Sequence, residues 1–245
     1  MKSIAITGAN RGIGLALVKN LVLRNKASNS PVKIFACSRH ASKDLVELSP
    51  FVKFIKLDVI SPASVDSAYK QISTELGSCG LNRLINNAAI MTGGKGAIGC
   101  SLDTLIESFR VNVAGVHSMT QSFYPLLERA AICKSSAQSS SISAAIINVS
   151  SELGSIQNTT NSYNSAYRVS KTSLNMLTKC TASDLIHENI LCFAVNPGWT
   201  QTRMGGPRAP LSPDQASEDM LYMVENCNLL HSGRFFGRNF VPIPW

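Results

Sequence analysis

"SIAITGANRGIG", residues 3–14, is a run of β-branched and small residues that passes without a linker into Gly8, Gly12 and Gly14. Residues 3–7 have the composition of a strand. Ile13, Leu17 and Leu21 then recur at helical spacing, so the glycines form the turn between a strand and a helix. At such a turn a phosphate can rest on the free N–H groups of the helix N-terminus. Gly8 and Gly12 let the backbone approach a pyrophosphate, Gly14 lets the helix pack tightly, and Asn10, Arg11 and Ile13 complete the loop. Three glycines at these offsets are a weak signal alone; their place after the first strand strengthens it. There is no G-K-[ST] in the chain, which excludes a nucleotide-hydrolysing P-loop.

The pattern repeats downstream. Segments 32–38, 52–59, 81–88, 144–151 and 190–198 read as further strands, each separated from the next by room for a helix. Ser61-Pro62 is a helix start, an N-cap followed by proline at the first helical position. Strand and helix in alternation predict an α/β fold, a doubly wound parallel sheet of Rossmann type in a single domain over 1–245. The serine-rich stretch 134–143 reads as a mobile surface loop rather than a linker.

Composition narrows the function classes. With 44% hydrophobic and 16% charged residues the chain can build a core, so disorder is excluded. The net charge of +8 favours an anionic partner, but the basic residues are scattered, and no aromatic-basic pattern points to nucleic acid. Seven cysteines, an odd number without a C-x-x-C pair, argue for free thiols and against a disulfide framework or a metal site. Neither a signal peptide nor a membrane-length apolar run is present, so the expected location is the cytoplasm, with no membrane partner.

The end of the second strand selects the dinucleotide. An NAD site needs a carboxylate there for the ribose 2′-hydroxyl, but this chain has Cys37-Ser38-Arg39-His40, with no acid before Asp44. Arg39, together with Arg11 from the glycine loop, suits a 2′-phosphate instead. The expected cofactor is NADP(H).

Further along, "SAYRVSK" (165–171) holds Tyr167 and Lys171 four apart, on one face of a helix. Taken alone, such a pair is ordinarily a packing tyrosine beside a snorkelling lysine. In context it belongs to an ordered set: Thr-Gly-x-x-x-Gly-x-Gly at 7–14, Asn86-Asn87-Ala88, Asn112, Ser151, Tyr167-x-x-x-Lys171 and Pro197-Gly198. The set resembles the short-chain dehydrogenase/reductase family over nearly the whole chain. "INVSSELGSIQ", "AYRVSK", "NPGWTQTRMGG" and "PIPW" look most like the sniffer-type carbonyl reductases.

That resemblance implies roles. Tyr167 would be the general acid in carbonyl reduction, its phenol made more acidic by Lys171 and by a cationic oxidised nicotinamide. Lys171 would also bind the nicotinamide ribose. Ser151 would polarise the carbonyl, with Ser150 as its competitor, and Asn112 would hold a water of a proton relay or simply kink or cap a helix. Ser38, Asp58, Val59, Asn87, Ala88, Pro197, Gly198, Thr200 and Thr202 would join the glycine loop, Tyr167 and Lys171 in cofactor binding. Asp58 could equally cap a turn, Asn87 tie two strands together, and Thr202 bond locally. Ala89 stands where the family usually has glycine, and the Ser151–Tyr167 segment is slightly long. No long insertion precedes the tyrosine, leaving a helix-mediated homodimer surface available. The loop 199–213, with Trp199 and Met204, would set substrate choice toward compact aromatic or quinone-like carbonyls. The competing readings are an NADP-linked alcohol dehydrogenase and a non-catalytic NADP(H) sensor.

Overall fold

The computed structural model describes residues 1–133 and 143–245. Most of the serine-rich stretch expected to be a surface loop, 134–142, lies outside the described residues. The order is β1 (Ser3–Thr7), α1 (Gly12–Lys26), β2 (Lys33–Ser38), α2 (Lys43–Glu47), β3 (Val52–Lys56), α3 (Pro62–Leu76), β4 (Arg83–Asn86) and α4 (Leu102–Phe109). Then come α5 (Gly115–Ile132), β5 (Ala144–Val149), α6 (Ser165–Leu185), β6 (Ile190–Val195), α7 (Pro213–Asn226) and β7 (Phe235–Phe236). The seven strands form one parallel sheet, ordered β3-β2-β1-β4-β5-β6-β7. It is a single-domain, doubly wound α/β fold of Rossmann type.

Alternation along each strand feeds two cores. Ile4 and Ile6 join Leu17 and Leu21 of α1 and Met220, Leu221 and Val224 of α7 on one face. Ala5, Leu84 and Ile146 join Val65 and Ile72 of α3 and Met119 and Phe123 of α5 on the other. Helices cover both faces because strands buried on two sides cannot show water either one. On the first face, Arg24 of α1 pairs with Glu218 and Glu225 of α7, and Asn20 donates to the Ser217 hydroxyl at 2.6 Å. Ser61 accepts from the Ser64 amide as the N-cap of α3, as its sequence predicts. Among the described residues, no helix is long and apolar enough to cross a membrane.

Five strands are shorter than their sequence suggests. Residue 32 and residues 57–59, 81–82, 87–88, 150–151 and 196–198 are apolar or extended enough to read as strand, yet they lie outside the ladder. At the carboxyl edge the sheet runs out of neighbours, and backbone groups turn to other partners. The Asp58 amide donates to the Ser64 hydroxyl, and the Asn87 amide to the Thr7 hydroxyl. β7, two residues long, carries no periodic signal and is not anticipated.

At the opposite edge, Asn82 ties the sheet's start together. Its Oδ1 accepts from the Lys2 and Ser3 amides at 2.8 and 3.1 Å, and its Nδ2 donates to the Ser143 carbonyl at 2.8 Å. Asn82→Ala orphans the buried Ser3 amide, so the denaturant midpoint should fall by the equivalent of about 2–3 kcal/mol with an unchanged m-value. A loss below about 0.5 kcal/mol would show that water takes over those bonds.

Candidate functional site

The glycine loop sits where β1 and β4 are neighbours although α1 and α4 leave in opposite directions, the topological switch point of the sheet. Gly8 (φ +67) and Gly12 (φ +54) adopt left-handed backbone. A Cβ on Gly8 would lie 2.9 Å from the Ala88 Cα; one on Gly14 would lie 2.4 Å from the Gly8 carbonyl oxygen. Gly14 therefore lets the loop close on itself, a different constraint from the helix packing its place in the sequence suggests. The Asn87 carboxamide donates to the Thr7 and Gly8 carbonyls at 2.8 and 3.3 Å, and the Thr7 hydroxyl accepts from the Asn87 and Ala88 amides at 3.0 Å. Thr7, the first residue of the glycine motif, thus fastens the end of β1 to the residues after β4.

Arg11 and Arg39 occupy adjacent loops, because the Ala9 amide donates to the Cys37 carbonyl at 3.2 Å. Both arginines are exposed, and among the described residues neither forms an ion pair. Ser38 is buried and donates to the His40 carbonyl. Asp58 accepts from the Ile60 amide at 3.2 Å, the local turn bond that was its alternative role, and Val59 packs against Gly115.

From the far end of the chain, Pro197-Gly198 leads into a loop that folds back over the glycine turn. A Cβ on Gly12 would meet the Thr202 methyl at 3.1 Å. Thr200 donates to the Gly198 carbonyl, while Thr202 accepts from the Gly205 amide and bonds to the Thr200 carbonyl. Trp199 is more than half exposed and donates from its indole to the Gly205 carbonyl at 2.7 Å.

α6 carries Tyr167 and Lys171. Tyr167 and Lys171 are both buried, at 6% and 2% exposure, and the Lys171 ammonium lies 5.6 Å from the Tyr167 ring centroid. Nζ donates to the Val149 carbonyl at 2.7 Å, at the end of β5. Ser151 follows two residues on; its hydroxyl reaches that of Tyr167 and accepts from the Leu153 amide. Ser150, its competitor, is instead buried and donates to Asn175 at 2.6 Å. The Asn175 amide and the Thr172 hydroxyl both donate to the Gly154 carbonyl, so the turn after Ser151 is clamped to α6. A Cβ on Gly154 would come within 2.8 Å of the Lys171 Cβ. Asn175 and Gly154 are missed by sequence reasoning, since their partners are a serine and a helix face that only the fold brings near.

Asn112 lies in a π-helical segment, Arg110–Ala114, between α4 and α5. Its carboxamide exchanges bonds with Ile90 in both directions, at 2.9 and 2.8 Å, and donates to the Ser170 hydroxyl at 2.9 Å. The side chain is committed to holding the loop after β4 against α6. The long Ser151–Tyr167 segment is anchored by the C-terminus: the Ser155 hydroxyl donates to the Pro244 carbonyl at 2.6 Å, and the Gln157 amide to that of Trp245.

Burial sets the electrostatics. It pushes the Tyr167 phenol up to about 12, with the bond from Ser151 pulling the other way. It pushes the Lys171 ammonium down to about 7. In the protein alone it is burial that sets the phenol, and the same burial brings the amine close to neutrality.

Between about 7 and its ordinary 10.5, Lys171 binds fewer protons in the folded chain than in the unfolded one, so it makes stability rise with pH across that window. Below about 7 both states are protonated and the whole burial cost is felt. The Tm advantage of Lys171→Met over wild type should therefore be largest below about pH 7 and shrink toward pH 9. A difference that is flat with pH would mean that the ammonium is solvated.

The sequence profile of the family described as short chain dehydrogenase matches residues 2–210. The carbonyl reductase Sniffer of D. melanogaster superposes with a TM-score of 0.92 at 31% identity, covering 100% of both chains. An NADPH-bound carbonyl reductase from chicken fatty liver gives a TM-score of 0.88 at 33% identity, covering 100% of this chain and 99% of that one. A short-chain dehydrogenase of Penicillium roqueforti is 31% identical over 237 residues, 89% of this chain and 86% of the relative. The chain thus belongs to the short-chain dehydrogenase family of oxidoreductases and is similar in structure to its Sniffer carbonyl reductases.

Proposed function

We propose that the protein is an NADPH-dependent carbonyl reductase acting on small or aromatic ketones, aldehydes and quinones. The observation that carries this reading is the buried Tyr167–Lys171 pair on α6, its ammonium 5.6 Å from the ring centroid, with Ser151 beside the phenol. The similarity to the NADPH-bound chicken enzyme supports it.

The residues fit a dinucleotide. The crevice at Gly8, Gly12 and Gly14 is one that side chains would fill, and two unpaired arginines flank it where a 2′-phosphate would be. When bound, NADPH supplies the hydride. Arg11, Arg39 and Ser38 would hold the 2′-phosphate; Asn10, Ile13, Asp58, Val59, Asn87, Ala88, Pro197, Gly198, Thr200 and Thr202 would line the rest. The Lys171 ammonium spends one N–H on Val149 and has others for the ribose.

For the substrate, Ser151 donates to the carbonyl oxygen and Tyr167 gives that oxygen its proton as negative charge develops there. A phenol held near 12 remains fully protonated at neutral pH, the form an acid needs. Giving that proton up leaves a tyrosinate, which cationic charge nearby, Lys171 included, would stabilise. Asn112 acts by position, keeping the 90-loop and α6 in register. The loop 199–213 would close over the substrate and set its size.

The same reading includes a cytoplasmic homodimer. Leu102, Ile106 and Phe109 on α4 and Val169 and Met176 on α6 are exposed, and these two helices lie against each other, offering a broad apolar face to a second copy. Met176→Glu should halve the sedimenting mass; an unchanged mass would rule this face out.

The reductase reading is tested by NADPH oxidation with an aromatic dicarbonyl or quinone. Tyr167→Phe should lower kcat at least about 100-fold with NADPH binding retained. Replacing Arg11 and Arg39 together should weaken NADPH about 10–100-fold and NADH little. Tight NADPH binding without turnover in wild type would overturn the assignment as an enzyme.

A further inference from the structure

A cleft of about 530 Å³ opens at the start of α6, between the segment after β4 and the residues leading into the helix. Ala166, one residue before Tyr167 in the first turn of α6, lies on its wall. The wall is made of glycines and hydroxyl-bearing side chains, among them Thr92, Ser101, Thr104 and Tyr163, and the only charge on it is Lys95. No carboxylate lines it. Among the described residues Lys95 forms no ion pair.

The backbone of Lys95 is fixed with unusual care for an exposed lysine. Its carbonyl accepts from both the amide and the hydroxyl of Ser165, at 3.2 and 3.3 Å, which ties it to the first turn of α6. On one side Gly94 (φ +153) lies so close to Tyr163 that a Cβ would be 2.9 Å from its hydroxyl oxygen. On the other, a Cβ on Gly96 would be 2.5 Å from the Ser162 hydroxyl. The lysine stem passes over Gly99, where a Cβ would meet its Cδ at 3.5 Å. A side chain on either glycine flanking Lys95 would displace Tyr163 or Ser162, and the lysine's own stem rests on a third glycine.

We propose that this cleft receives the anionic end of the carbonyl substrate, a carboxylate, and that Lys95 is the residue that selects it. The inference rests on the reductase reading for the carbonyl end. A neutral tail would gain nothing from the ammonium, which it would only desolvate; a carboxylate would take a charge-assisted bond from Lys95 and further bonds from the surrounding hydroxyls. The preferred substrates would be compact aromatic keto acids rather than neutral ketones of the same size.

The test uses 4-acetylbenzoate and its methyl ester, which differ in charge at the end remote from the ketone. Binding to wild type, Lys95→Met and Lys95→Arg is measured by calorimetry, and NADPH oxidation is followed in parallel. Wild type should bind the acid about tenfold more tightly than the ester. That ratio should fall to about one in Lys95→Met, recover in Lys95→Arg, and shrink as salt is raised. Equal binding of acid and ester by wild type, or a ratio indifferent to Lys95→Met, would overturn the proposal. A binding preference without NADPH oxidation by either compound would sustain the anion subsite and overturn the reductase reading. Oxidation without any preference would do the reverse.

Discussion

The bonds that Asn87 donates to Thr7 tie the carboxyl ends of β1 and β4 together at the floor of the sheet's crevice. At this point the chain after β1 turns to one face and the chain after β4 to the other, so no helix covers the gap. Backbone groups there have lost their ladder partners and must be satisfied by something else. A threonine hydroxyl that accepts two amides and an asparagine that donates to two carbonyls do so without filling the space. The same carboxamide also stands 2.6 Å from where a Gly14 Cβ would be, so the glycine pattern and Asn87 are one constraint seen from two strands.

α6 is the second fixed reference. Its buried face meets the end of β5 through the Lys171 ammonium, the turn after Ser151 through Thr172 and Asn175, and the π-helical segment through Ser170. A single helix thereby sets the separation of tyrosine, lysine and serine. Two further segments approach that helix. These are the C-terminal residues, fastened to Ser155, and the glycine-flanked Lys95 segment, fastened to Ser165. The C-terminal residues belong to the quoted motif PIPW, whereas the Lys95 segment belongs to no motif.

Burial gives the pair its character. A lysine ammonium and a tyrosine hydroxyl in water differ little in pKa, near 10.5 and 10. Enclosed together they separate to about 7 and about 12, so the amine becomes the readily titrated member and the phenol the firmly protonated one. A spacing of four in the sequence says that the two share a helix face; it does not say that the face is dry.

Residues 3–14 determined the first strand, the turn and the helix, because hydrophobic period and glycine placement are local properties of a chain. Ser61-Pro62 likewise announced its helix, and Tyr167, Lys171, Ser151 and Asn112 were legible as an ordered set. The strand ends were not. Residues 57–59, 87–88, 150–151 and 196–198 look like strand to a local reading, and only the absence of a neighbouring strand frees them to line the site. That Ser150 is engaged by Asn175, a residue on another element, was likewise not legible. Lys95 carried no signal at all, since an isolated lysine among glycines is ordinary until the fold sets Ser162, Tyr163 and Ser165 beside it. Local pattern thus determined which elements exist and which residues could react. The tertiary structure decided which of them are buried and which meet, because burial and contact depend on residues distant in the chain.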